Sequence, residues 1–159
     1  ELMSRDIRRA GYWADATSSA LSTGFSQNLY TGASAALAVS PDQSCITFAY
    51  DMDAANPEVT AQEYIGYKLQ QGGVYVRSGF SPCEASANWT QLTNDAIYIE
   101  KLVFNLTKVN AKGELGTVPS EGLNTLMSTV TINLKASLVS DRNKAVELDK
   151  TVLVRNQDY

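Results

Sequence analysis

The sequence predicts an α+β domain with a mostly antiparallel sheet, and three observations carry that expectation. The persistent helical period lies at the start, in ELMSRDIRRAGYWA (Glu1–Ala14). There Met3, Ile7, Ala10 and Ala14 recur at spacings of four, three and four on one face. From Ser44 onward the apolar residues alternate in runs that read as about six strands. The links between those runs are local, and the pair Gly72-Gly73 suits a tight hairpin turn, so neighbouring strands are expected to be antiparallel. A helix followed by strands is the α+β order. The 159 residues suit a single domain: residues 1–14 as helix, 15–43 as connecting loop and 44–159 as the sheet region.

The helix places Arg5, Asp6, Arg8 and Arg9 on its other faces, and Gly11 offers it an end. Two turns barely hold together alone in water, because nucleation is costly and the apolar stripe is short. The segment therefore needs a sheet to lie on, through Met3, Ile7, Ala10 and Ala14, or more helix ahead of it. It opens at Glu1 in mid-pattern and without a cap, which suggests that something upstream was removed. Arg5, Arg8 and Arg9 are candidates for contact with a partner's acidic groups or with lipid headgroups. A solvated helix face is the plainer reading.

Asp15–Ala38 holds no period of 2 or 3.6 and reads as an irregular connector, long enough to be a candidate interaction surface. Ser44–Asp51 alternates, with Ile46, Phe48 and Tyr50 on one face. Tyr64–Gln70 groups Ile65, Tyr67 and Leu69, and Val74–Arg77 returns beside it across Gln71-Gly72-Gly73. Ser81–Trp89 is irregular. In Asp95–Val109 the phase shifts, since Ile97 and Ile99 share a parity that Leu102, Phe104 and Leu106 do not. A bulge near Glu100-Lys101 reconciles them. The run from Lys112 to Asn124 is loop. Val130–Leu138 alternates, Ser140–Asn143 turns, and Thr151–Arg155 comes back as the last strand.

Composition narrows the function more than any motif does. The formal charge is −4, which disfavours a nucleic acid partner. No apolar run is long enough to cross a bilayer, so the chain as given is expected to be soluble. Histidine is absent, which removes the usual general base, the usual partner of a nucleophilic Ser or Cys, and the commonest zinc ligand. No carboxylate pair, phosphate loop or nucleophile motif stands out, so no enzyme activity and no cofactor is expected. The two cysteines, Cys45 and Cys83, permit either a disulfide in an oxidising compartment or two buried thiols. Cys45 opens a strand, and Cys83 lies in a polar loop from which it can reach that strand. Closing a loop of this length would stabilise the fold by about 4 kcal/mol, and the bond is the expectation.

Asp51, Asp53 and Asn56 place oxygen ligands in one short loop and form a weak calcium candidate. Ala55 stands where a third ligand belongs, and Gln62 where a closing glutamate would be, so a polar turn is the plainer reading. The sequons Asn88-Trp89-Thr90 and Asn105-Leu106-Thr107 are of a length that arises by chance.

ELMSRDIRRAGYW resembles the lower part of the N-terminal helix of type IV pilin-like proteins, most closely the PilW-like minor pilins. SCITFAYDMD is similar to that family's cysteine-led strand, and YIGYKLQQGGVYVRSG to the hairpin after it. CEASANWTQLTND resembles the second cysteine segment, and TVLVRNQ the final strand. These segments span nearly the whole chain in order. The family's cleavage site, with its glycine and following glutamate, is absent from the sequence, and Glu1 is not that glutamate because no long apolar run follows it.

The resemblance implies a pilin-like fold with the helix packed on the sheet. It also implies anchoring in the inner membrane through an apolar half-helix, a domain in the periplasm and then outside in a pilus, and contacts with other minor and major pilins. The expected role is that of a structural subunit in type IV pilus assembly or initiation. The minor J-type pseudopilins of type II secretion share the implied architecture. An adhesin or ligand-binding module using Asp15–Ala38 or Ser81–Trp89 is the alternative of another class.

Overall fold

A computed structural model describes residues 1–14, 30, 35–52, 59–109 and 127–154. Among them are one α-helix, α1 (Leu2–Arg9), and eight strands: β1 (Ala38–Val39), β2 (Cys45–Ala49), β3 (Tyr64–Gln70), β4 (Gly73–Arg77), β5 (Trp89–Gln91), β6 (Ile97–Val109), β7 (Met127–Leu138) and β8 (Asp141–Val154). The strands form two antiparallel meanders, β1-β2-β3-β4-β5 and β6-β7-β8. This overturns the α+β, pilin-like expectation of one helix on one sheet. The architecture is mostly β, two sheets share one core, and the helix is a short accessory of eight residues.

The physical reason lies in the long strands. β6, β7 and β8 carry 13, 12 and 14 residues and pair along nearly their whole length, so they bury their apolar face against the first sheet rather than waiting for a helix. Ile46, Phe48, Ile65 and Tyr67 from the first sheet meet Leu102, Phe104, Val130, Ile132 and Val152 from the second. Ile7 and Ala10 of α1 enter the same core, and Met3 packs against it. Ala14, expected on that stripe, lies beyond the helix end and is half-buried, its N–H held by the carboxylate of Asp51. The helix stops because Gly11 turns into the left-handed region, with φ 75°, and donates its N–H to the Ala49 carbonyl.

The β3–β4 hairpin forms where the glycine pair stands, one residue out of phase. Gln70 pairs with Gly73, so Gln71 and Gly72 are the two turn residues with positive φ. At Gly72 any Cβ would run into the Tyr98 ring of β6, which closes over the turn. The shift in β6 is a bulge between Ile99 and Lys101, where the two apolar parities meet. It lets Ile99 and Leu102 both face the core. No described helix is long and apolar enough to cross a membrane.

Candidate functional site

Two polar constructions organise the surface around this core. The first seats α1. Asp6 is buried, and its carboxylate accepts the Tyr67 hydroxyl at 2.6 Å and Arg5 Nε at 3.1 Å. One turn on, the Arg9 guanidinium lies 4.4 Å from the centre of the Tyr50 ring. Arg5 and Arg9 therefore partly serve the docking of their own helix, while Arg8 is exposed. Burial, with the Asp6 carboxylate beside it, pushes the Tyr67 hydroxyl far above the usual phenol range.

That shift has a measurable consequence. A folded pKa raised above the unfolded value contributes stability below about pH 10 that is lost as pH climbs toward the folded pKa. Tyr67→Phe is expected to lose about 2 kcal/mol at pH 7, since a hydrogen bond to a charged group is worth roughly 1.5–3 kcal/mol. The gap between the two proteins should then close by about 1.4 kcal/mol per pH unit above 10. Arg77, held down to about 10 by burial, moves stability the other way with pH in both proteins and drops out of the difference. Urea unfolding at pH 7, 10 and 11 checks this; a gap that stays constant removes the Tyr67–Asp6 linkage.

The second construction pins the segment between β4 and β5 over the outer face of the first sheet. Cys45 of β2 and Cys83 are disulfide-bonded, with Cα atoms 6.0 Å apart. Lys68 Nζ donates to the Cys83 and Ala85 carbonyls at 3.0 and 2.7 Å and lies 4.4 Å from the centre of the Trp89 ring. Trp89 Nε1 donates to the Pro82 carbonyl. Buried Arg77 donates to the carbonyls of Ser81, Phe48 and Ile65, which ties the segment to β2 and β3. Gly66 makes room for this layer. A Cβ there would sit 2.8 Å from the Ile46 carbonyl oxygen and against Trp89 and Arg77.

Near the end of β2, Glu63 is buried and accepts from Tyr30 Oη, Met52 N–H, Thr60 N–H and Thr60 Oγ1. The spacing Thr60-x-x-Glu63 is a capping box and was the available signal for it. Asp6, Lys68 and Arg77 had no comparable signal, because their partners lie far away in the chain. Each of these buried charges holds a backbone or hydroxyl partner in place, so the arrangement is suited to fixing a surface rather than to moving protons.

The sequence candidates fall out unevenly. Cys45 and Cys83 are brought together. Met3, Ile7 and Ala10 share the seat of α1. Asp51 is buried beside the Ala14 N–H, whereas Asp53 and Asn56, its companions in the calcium candidate, lie outside the described residues. So does most of the connector: Tyr30 is described, and it packs with Ala35 and Ala49 in a small second cluster. Asn88 is exposed in a turn, and Asn105 lies in β6, donating to Asn133. Over residues 1–154 the chain matches the family model described as prepilin peptidase-dependent protein B. Neither a curated protein nor a solved structure matches it.

Proposed function

We propose, from the premise that the chain belongs to the family of prepilin peptidase-dependent protein B, that it is a structural subunit of pilus assembly working through protein–protein contact. The observation that carries the reading is the family match along residues 1–154. In the finer form of the proposal the chain is a PilW-like minor pilin without enzyme activity. It is held at the inner membrane, exposes this domain in the periplasm and then outside, and contacts minor and major pilins. The structure supports such a role in one respect: its buried charges are used to hold loops and the helix rigidly, which keeps an interaction surface in one shape.

The test is a deletion strain complemented with variants, scored by surface pilus number. Deletion should lower the count and the unaltered gene should restore it. Arg8→Glu, at an exposed helix position, should change stability by less than about 0.5 kcal/mol. It should nevertheless restore piliation only in part, because a reversed charge at an interface is costly. Piliation equal to the parent in the deletion strain would remove the assembly role.

A further inference from the structure

The two edges of the second sheet are finished differently. β6, at one edge, is stitched to the first sheet: Ile99 N–H donates to the Gly72 carbonyl at 2.7 Å, and Phe104 N–H to the Gln43 carbonyl at 2.9 Å. β8, at the other edge, makes backbone hydrogen bonds to β7 alone among the described residues. A paired antiparallel strand aims the N–H and C=O of every second residue away from its neighbour, so β8 presents a row of unpaired backbone groups. The register break at Asp141–Lys144 bounds that row on one side. The seat of α1, with Glu1 on Lys150, bounds it on the other. Between them Ala145 to Asp149 are all exposed, and so is Thr151. On the outer face of the sheet, polar rungs run across the strands and stop at this edge. Lys135 of β7 lies 3.0 Å from Glu100 and 3.7 Å from Glu147, whose side chain is 72% exposed. On the next rung Asn105 donates to Asn133, which donates to the exposed Asp149 carboxylate at 2.6 Å. Both rungs end on a carboxylate, and the two stand on one face about 7 Å apart. The neighbouring cations of β8 are engaged elsewhere, Lys144 with Asp141 and Lys150 with Glu1.

We infer that β8 accepts an extended segment of another protein of the assembly along Ala145–Thr151, as a fourth strand with Lys or Arg opposite Glu147 and Asp149. The inference deepens the assembly reading above and rests on it for the origin of that segment. The backbone row selects an extended chain, because a strand offers N–H and C=O groups at the matching spacing. The rungs select its charge. Glu100, Lys135 and Glu147 alternate in sign across three strands, and a cation on the fourth continues the alternation, whereas a carboxylate there would be repelled. The same charges disfavour a second copy of this chain. A two-fold antiparallel pair of β8 strands sets residues of one face opposite one another, and the odd-numbered residues of β8, which include Glu147 and Asp149, hold no cation.

The probe is the peptide Thr-Lys-Val-Lys-Val-Lys-Thr, added to the purified protein while amide hydrogen exchange is followed by NMR. It should slow exchange at alternate amides of Ala145–Thr151 and leave β6 and β7 unchanged. Two further versions are N-methylated, each on one alternate set of peptide amides. The version blocked on the side that meets β8 should bind about tenfold more weakly, and the other as well as the parent. Glu147→Lys with Asp149→Lys, both at exposed positions, should reverse the preference by about tenfold toward a peptide with Glu in place of Lys. Equal binding of both methylated versions would reduce the contact to charge attraction and overturn the added strand. Protection away from β8, or no binding by the parent peptide, would overturn it too. Pilus counts in the deletion strain report the assembly role separately. Normal counts with a responsive edge would sink that role alone, and lowered counts with a silent edge would sink the added strand alone.

Discussion

Replacing both Cys45 and Cys83 with serine is expected to lower stability by about 4 kcal/mol, the loop-closure entropy returned to the unfolded chain when a bond across 38 residues is lost. The native state should keep its shape, because the pinned segment is also held by Lys68, Arg77 and the Trp89 indole, none of which needs the sulfurs. The change is therefore expected mainly on the unfolded side: a lower urea midpoint with a near-native spectrum before the transition, and a steeper dependence on urea as the unlinked chain exposes more surface. A domain of this size commonly has 5–15 kcal/mol in hand. The serine variant then sits close to its threshold, and reducing conditions should imitate it. A loss below about 1 kcal/mol, or an unchanged protein after reduction, would show that the bond does not constrain the fold.

Local pattern was readable where burial alternates. Ile46 and Phe48, Ile65 and Tyr67, and the parity change around Glu100 all announced their faces, and the bulge followed from two apolar phases that a single strand cannot reconcile. β8 was not readable before Thr151. From Arg142 to Asp149 both faces of it are exposed, so the short alternation of Val146 and Leu148 with Glu147 and Asp149 marks no buried face, and it is a strand because β7 offers it partners. β5 hid for a related reason, since Trp89 is buried while Thr90 and Gln91 are not. The sheet count failed through the same gap. With the last strand expected only over Thr151–Arg155, nothing in the pattern separated β6-β7-β8 from the first sheet, and the helix was given a covering role that the strands take themselves. Among the site residues, the cysteines were legible because their chemistry limits their options. Lys68 and Arg77 looked like ordinary strand cations, and only tertiary contact shows that they face backbone carbonyls.

The largest single-residue effect is expected at Ile7, and its neighbour Asp6 explains why. Both side chains are buried at one turn of α1. The Asp6 carboxylate meets the Tyr67 hydroxyl and Arg5 Nε, so its charge is compensated. Ile7 instead points into the core shared by both sheets, with no accessible surface. Ile7→Asp removes an aliphatic side chain worth about 1.5–3 kcal/mol of burial and puts an uncompensated carboxylate in its place, a further cost of several kcal/mol. A total of about 5 kcal/mol or more would leave the domain largely unfolded at room temperature. Ile7→Val, which keeps the apolar contact, should cost only about 1 kcal/mol. Met3→Asp should fall between them, because Met3 is half-buried at the core's margin. The pH dependence gives an independent check. A carboxyl group forced into this core has its folded pKa raised, so whatever stability the Ile7→Asp protein retains is greatest below the unfolded pKa and falls as pH rises. Urea unfolding of the three variants, with the Ile7→Asp protein followed on acidification, reads both effects; equal midpoints for all three would mean that α1 does not dock through this face.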